Sequence, residues 1–354
     1  MIDILQRTLG QQRTKGLSRT NKLQNSHNKS KKTKSYTPTI NQELVSFKSA
    51  SSRKDQIIQC KLEPQLEIII KNKCYHYSSS IAKTFLLKRL SINKHVDPTF
   101  IITPKQANAN CWFNTMFVTF FISDKGRKFF HFLRQLMIEG KQSNGRPIPT
   151  KLWDGFSLLN FAIEASLSGT EYAYKLNTNI IISHIYNSIP DNYKKRLTYL
   201  TKVGNAGNPL RYYMSLMYYL ENKSIQLLFC DTFQNIREKM KHLQHIPHII
   251  VIEIFENEAL HQQKPIHFSV KLNDGQQIKY KLDSSVVRDI SKQHFCAMIT
   301  CEGIEMGYDG ISHSRMVPME WKSLLNTDTI WKFKGNTMKW SFLQSYQMLL
   351  YYRV

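Results

Sequence analysis

Gln106-Ala-Asn-Ala-Asn-Cys-Trp-Phe-Asn-Thr-Met-Phe-Val-Thr-Phe-Phe121 is the stretch on which the reading of this chain turns. A polar loop gives way, at Cys111, to a run in which Trp112, Phe113, Met116, Phe117, Phe120 and Phe121 recur at helical spacing. A cysteine at that boundary sits at a helix N-terminus, where partial positive charge and unsatisfied N–H groups favour the thiolate. The same N–H groups can help hold an oxyanion, and the amides of Gln106, Asn108 and Asn110 are candidate donors beside them. Taken alone, the segment reads better as a buried, inert cysteine behind the polar N-cap Asn110, because a single cysteine is a weak signal.

Working outward, a second helical block follows Asp124-Lys-Gly-Arg127 and runs through Phe130, Leu133 and Met137 to residue 139. Residues 155–168, 176–189 and 208–222 also carry helical periodicity. After Gln226 the period changes. Ile225–Phe229, Ile249–Phe255, His267–Leu272, Ile278–Leu282, Phe295–Cys301, Thr329–Lys334 and Gln347–Tyr352 read as strands, with Asn273-Asp-Gly275 as a turn between two of them. Upstream, Leu66-Glu-Ile-Ile-Ile-Lys71 reads as a short strand. Helices first and an antiparallel sheet later make an α+β fold. Its helical part spans about 103–222 and its sheet part about 225–354, within a globular region of 56–354. Residues 1–55 differ: they are rich in Lys, Arg, Ser, Thr, Asn and Gln and poor in aromatics, so they are expected to form a mostly disordered basic arm. Its cluster Lys29, Lys31, Lys32 and Lys34 reads as a nuclear import signal or a site for nucleic acid or an acidic surface. A solvated tail without a dedicated partner fits the same residues.

Composition narrows the classes. With 42% hydrophobic residues over 354 positions the chain is not wholly disordered, and 14 Gly and 11 Pro exclude collagen-like and low-complexity readings. No run of about 18 apolar residues predicts a membrane span. The N-terminal stretch lacks an apolar h-region, so a secretory signal is not expected. Forty-nine Lys and Arg against 26 Asp and Glu give a net charge of +23, which attracts polyanions. Six cysteines without a CxxC pair support neither a zinc ribbon nor a disulfide scaffold. Free thiols in a reducing compartment, cytoplasm or nucleus, are the simpler expectation. No cofactor or metal is expected: His242, His245 and His248 are interrupted by Pro247 and lack further ligands at suitable spacing.

A thiolate nucleophile needs a base, and the base needs an orienting acceptor. His294 lies in Ser291-Lys-Gln-His-Phe-Cys-Ala-Met-Ile-Thr300, where a polar loop enters an apolar strand. Asp309 lies in Glu305-Met-Gly-Tyr-Asp-Gly310, just past the next turn, so two adjacent strands would bring it to His294. Each alone reads better as a surface histidine and a turn aspartate. The phenylalanines from Phe117 to Phe132 and the tyrosines of Arg211-Tyr-Tyr213 read as core rather than as a stacking platform. Cys296 and Cys301 read as buried thiols. Glu253, Glu256 and Glu258 read as a solvated cluster.

In combination, the order of cysteine, distant histidine and closely following aspartate resembles the ubiquitin-specific protease family of papain-like cysteine peptidases. That family's cysteine box reads approximately N-x-G-N-T-C-W-x-N-[ST]. Cys111-Trp-Phe-Asn-Thr115 matches its second half, whereas Gln106 stands for the first Asn, Asn108 for the Gly and Ala109-Asn110 for Asn-Thr. Its histidine box, approximately Y-x-L-x-x-V-V and then G-H-Y-x-A, is matched by Tyr280-Lys-Leu-Asp-Ser-Ser-Val-Val287 and Gln293-His-Phe-Cys-Ala297, with Gln293 for the Gly and Phe295 for the Tyr. Tyr308-Asp309-Gly310 matches the turn bearing the third catalytic residue, and Ser345-Tyr-Gln-Met-Leu-Leu-Tyr-Tyr-Arg353 resembles the closing strand. The resemblance covers about 103–354 in four short patches. It implies a papain-like fold with a helical thumb around Cys111 and a palm sheet carrying His294 and Asp309, with Gln106 as oxyanion donor. It implies a ubiquitinyl hydrolase acting on a ubiquitin or ubiquitin-like C-terminus. The family's zinc-binding finger has no counterpart. With its bias toward Lys, Asn and Ile, the chain resembles divergent members encoded by large DNA viruses, for which the virion is a further location. Two alternatives stay open: a catalytically inactive homologue acting as a basic structural or interaction protein, and a cysteine protease cutting a polyprotein at Gly-Gly-like sites.

Overall fold

The structure is a computed structural model that describes residues 33–36, 60–61 and 66–354, apart from 143, 171, 176, 222–226, 244 and 273. The described residues all fall in one unit, Thr33–Val354. Most of the expected basic arm, with Lys29, Lys31 and Lys32, lies outside them, as does Asn273 of the expected turn.

The chain is mixed α and β, with its longer helices between 80 and 219 and its main sheet from 227 onward. The helix Cys111–Phe121 is buried at every position, which fits a helix apolar all round rather than on one stripe. Thr150–Ser168 starts earlier than its periodicity indicated, directly after Pro149, and ends at Gly169 in the left-handed conformation, φ 63°. Thr178–Ser188 is capped by Asn177, and Pro209–Tyr219 by Asn208, whose side chain accepts from the Arg211 N–H at 3.1 Å. These helices pack through Trp112, Phe117, Phe120, Phe130, Phe156 and Tyr213, so the aromatic run is core, as its spacing indicated.

The strands are β1 (Thr33–Tyr36), β2 (Glu67–Ile70), β3 (Lys73–His76), β4 (Leu227–Cys230), β5 (Ile249–Ile254), β6 (His267–Lys271), β7 (Gln277–Arg288), β8 (Phe295–Cys301), β9 (Ile304–Tyr308), β10 (Val317–Pro318), β11 (Ile330–Phe333) and β12 (Gln347–Arg353). Eight form one sheet in the order β10-β9-β8-β7-β12-β5-β4, with β6 on β7. Only β4–β5 within it is parallel. Both faces are covered. Val251, Val286, Ala297, Met348 and Leu350 face the helices, while Ile250, Ile252, Met298, Leu349 and Tyr351 face a layer built from Trp321, Trp331, Phe333, Trp340 and Phe342. Register slips between Leu350 and Tyr351, so Asp283 of β7 has no partner and sits in a bulge.

Within the expected arm, Thr33–Tyr36, including Lys34, is a short strand paired in parallel with β11. Two expectations are corrected. Cys60 and Cys74 are joined in a disulfide, their Cα atoms 5.6 Å apart, so the thiols are not all free. Glu253 is buried on β5 against Arg211, at 2.6 Å, and also accepts from the Tyr346 hydroxyl; Glu256 pairs with Arg288. Cys296 and Cys301 are buried thiols, as expected. Among the described residues no helix is long and apolar enough to cross a membrane.

Candidate active site

Cys111 is the first residue of its helix, and the N–H groups of Phe113 and Asn114 close the first turn onto the Asn110 carbonyl. The Cys111 N–H therefore lies among the donors a helix leaves without an intrahelical acceptor. The helix packs against β7 and β8, which carries the thiol to the sheet. Asn110 does not cap with its side chain. Its amide is spent on the loop, accepting from Ala107 N–H at 3.1 Å and donating to Thr178 at 2.8 Å. Thr178 in turn donates to Asn114 at 2.6 Å, so the cysteine's helix start is tied to a second helix by buried polar bonds.

His294 immediately precedes β8 and Asp309 immediately follows β9, and the antiparallel pairing of Ala297 with Tyr308 sets the two side by side. Imidazole Nε2 and carboxylate Oδ1 are 2.6 Å apart, with both side chains almost wholly buried. The sheet thus brings together the two residues that the sequence placed at a strand mouth and in a turn. Asp309 also accepts from the Ile311 N–H, the Ser312 hydroxyl and the Asn336 amide. Burial works against its charge, but the bond to His294, the imidazole's own charge and the bonds from Ser312 and Asn336 outweigh that and hold its pKa below 3.8.

Burial also opposes protonation of His294. The bond to Asp309, the hydrogen-bonding thiol of Cys111 and the negative charge of both partners reverse this, and the imidazole pKa rises to about 9. The other ring nitrogen, Nδ1, is buried and not closed into a hydrogen bond of normal length. The arrangement has a ring fixed at one nitrogen by a carboxylate and open at the other, with a thiol beside it. It favours an imidazolium, and such a ring can exchange a proton with the sulfur.

The histidine's loop rests on a residue that sequence reasoning missed. Buried Asp289 accepts from the backbone N–H groups of Ser291, Gln293 and His294, at 2.9, 2.7 and 2.6 Å, and so shapes the turn that delivers the imidazole. An Asp followed two residues later by Ser, ahead of a strand, is an Asx-turn signal that could have marked it. Trp340, whose ring centroid lies 5.9 Å from the imidazole, and Asn336 were missed as well. They come from a distant loop and carry no local pattern.

Gln106 docks on the other side. Its N–H donates to the Gly310 carbonyl at 2.8 Å, and a Cβ on Gly310 would fall 2.7 Å from the Tyr308 hydroxyl and 3.2 Å from Gln106 N, so only glycine admits this approach. The Gln106 side chain donates to the Asn108 carbonyl at 3.1 Å, leaving its second amide hydrogen for another acceptor. Asn108 has a left-handed backbone, φ 57°. Among the described residues one group of ligand-type atoms, Cys60, Glu67 and Cys74, lies within 4.8 Å, but its two sulfurs are bonded to each other.

No family model matches the chain, and no curated protein matches it. Solved structures align loosely. A SAGA DUB module of Ubp8, Sgf11, Sus1 and Sgf73 bound to monoubiquitin gives a TM-score of 0.45 at 9% identity, over 73% of this chain and 70% of that one. The same module bound to ubiquitin aldehyde gives 0.44 at 9% identity, over 73% and 70%. A yeast SAGA DUB module carrying an altered Sgf73 gives 0.36 at 12% identity, over 73% and 69%. These are similarities too distant to decide fold or chemistry.

Proposed function

We propose that the chain is a cysteine peptidase of the ubiquitin-specific-protease type, with the helices from 111 to 219 as thumb and the main sheet as palm, acting on a ubiquitin or ubiquitin-like C-terminus. The buried 2.6 Å bond between His294 Nε2 and Asp309 Oδ1 is the observation that carries this reading; Nδ1 has no hydrogen-bond partner at normal length, and Cys111 adds to the charges that raise the imidazole pKa. In it, His294 Nδ1 takes the Cys111 proton, and the sulfur attacks the carbonyl carbon at the end of the substrate tail. The resulting oxyanion is held by the Cys111 N–H and the spare Gln106 amide hydrogen. The C–N bond breaks as Nδ1–H protonates the leaving amine. Water, deprotonated by Nδ1, then attacks the thioester, releasing the carboxylic acid and the thiol. Asp309 holds the ring in one orientation and favours its charged form.

One observation favours a second reading, a slow or inactive homologue: the Gln106 amide is turned to the Asn108 carbonyl rather than held open. Reaction with a ubiquitin C-terminal electrophile separates the two. Wild-type protein is expected to label covalently, Cys111→Ala not at all, and His294→Ala at a rate lower by about a hundredfold or more. Wild-type protein that stays unlabelled while a small alkylating reagent still modifies Cys111 excludes a ubiquitin-shaped channel. Failure of both reagents supports the inactive homologue.

A further inference from the structure

The mechanism above makes no use of the segment from β11 to Trp340, yet three contacts from it converge on the candidate site. Asn336 Nδ2 donates to Asp309 Oδ2 at 2.8 Å. The Trp340 ring packs against the imidazole, and the Lys339 carbonyl accepts from the Ile290 N–H at 2.8 Å, at the head of the His294 loop. The segment's two ends are fixed to each other by paired bonds between Trp331 and Trp340, both 3.0 Å. Its outer edge is covered by β1, with the Lys334 N–H donating to the Tyr36 carbonyl at 3.0 Å.

The orientation of the Asn336 amide is set from the other side. Its Oδ1 accepts from the Met338 N–H at 2.9 Å, which leaves Nδ2 as the group turned to Asp309. The carboxylate is thereby divided: Oδ1 faces His294, and Oδ2 is occupied by Asn336 and Ser312. Asn336 is itself buried, so its donor has no competing water of the kind an exposed amide meets.

We propose that Asn336 is a positioning residue of this site: by occupying Oδ2 it keeps Oδ1 on the imidazole Nε2, and through it keeps Nδ1 on Cys111. The inference rests on the reading of Cys111, His294 and Asp309 given above. The ionisable groups on the elements around Asn336 include Asp309 and His294 of the network, Cys111 beyond them, Tyr308 and Cys296 on β9 and β8 within electrostatic reach of Asp309, and Asp289 under the histidine loop. His313 follows Asp309, and Lys334 and Lys339 lie on Asn336's own segment.

Two readouts test it, ubiquitin-probe labelling and iodoacetamide alkylation of Cys111 assigned by mass spectrometry, each followed against pH in folded full-length protein. Asn336→Ala is expected to slow both about tenfold, the loss of one hydrogen bond to a charged group. Asn336→Ser, which keeps a donor, should recover part of the rate and covers the case in which alanine melts early. Asn336→Asp places a second carboxyl against Asp309 Oδ2; both are ionised and repel at neutral pH, and the pair takes up a shared proton only as pH falls. At neutral pH it should be slower than Asn336→Ala. The ratio of the two should climb as pH falls, because the protonated carboxyl regains the donor. A structural role alone gives no such crossing. Wild-type rates and pH profile in folded Asn336→Ala, or a ratio independent of pH, overturn the proposal. If wild-type Cys111 alkylates with the pH dependence of an ordinary thiol, the parent reading falls and this one with it.

Discussion

Burial works against the charge of two acids near this site, and they end with opposite shifts. Asp309 keeps its charge because four donors surround its carboxylate. Asp283, in the β7 bulge, has the Lys125 N–H on one oxygen at 3.2 Å and nothing on the other, and burial lifts its pKa from 3.8 to about 6. The sign of the consequence follows. Below pH 3.8 the carboxyl is neutral in folded and unfolded chains alike; above about 6 it is ionised in both, and the folded state alone bears the desolvation. Stability attributable to Asp283 therefore falls as pH rises through that window. Asp283→Asn keeps an acceptor for Lys125 and removes the charge. It is expected to raise unfolding stability at neutral pH by about 2 kcal/mol, with the gain vanishing in acid, as read by urea denaturation at several pH values. A constant gain at every pH would assign the effect to packing instead. At this scale the meeting of His294 and Asp309, which the structure joins, was expected from the two adjacent strands and the resemblance of their segments to a known family. Asn336 and Trp340 were not legible, since each acts through a contact that exists only once remote loops meet; Asp289 was missed although its bonds to Ser291, Gln293 and His294 are local.

Among the elements, the Cys111 helix was the easiest to read and is the most tightly enclosed. Trp112, next to the cysteine, stacks edge-on against Tyr212 with ring centroids 4.8 Å apart. Gly207 lies over its indole, and a Cβ there would fall 2.5 Å from the ring. A buried indole cannot swing aside, so Gly207→Ala is expected to cost about 1–3 kcal/mol of stability and to slow Cys111 alkylation by displacing the start of the helix. Thermal melting and intrinsic tryptophan emission read the first, mass spectrometry the second; an unshifted melt would show that the loop around Gly207 gives way freely. Helix Ser80–Ile92 escaped the sequence reading because it buries only Ala82, Leu86 and Leu90, a stripe too narrow for the apolar pattern to register. Strand β9 was given no bounds in the sequence reading, which expected only an adjacent strand past the turn to bring Asp309 to His294; Gly307 lies within it. That glycine is there for space, since a Cβ would meet the Phe333 ring at 3.0 Å.

At the scale of the molecule, the helical half and the sheet are joined by a polar knot as well as by apolar packing. Arg211 and Asn208 from the helical side meet Glu253 of β5 and Tyr346 beside β12. Glu253→Ala leaves a largely buried guanidinium without its carboxylate and is expected to lower stability by about 3 kcal/mol. The double change of Arg211→Met with Glu253→Met removes both charges and should lose clearly less. Equal losses in chemical denaturation would locate the stabilisation in packing. The sequence showed the order of helices before strands, because periodicity changes near residue 226. It did not show this knot, since the three glutamates near the end of β5 look alike until the fold buries one of them. The seat of β12 has a consequence of another kind. It is the last of the sheet's strands to leave the ribosome, yet it lies between β7 and β5. While it is unmade, those two strands flank an empty lane with both rows of N–H and C=O groups open to any passing strand. A stop codon anywhere before Gln347 would thus yield a split sheet with two adhesive margins rather than a slightly shortened domain, and nascent chains should depend on chaperones until β12 has emerged.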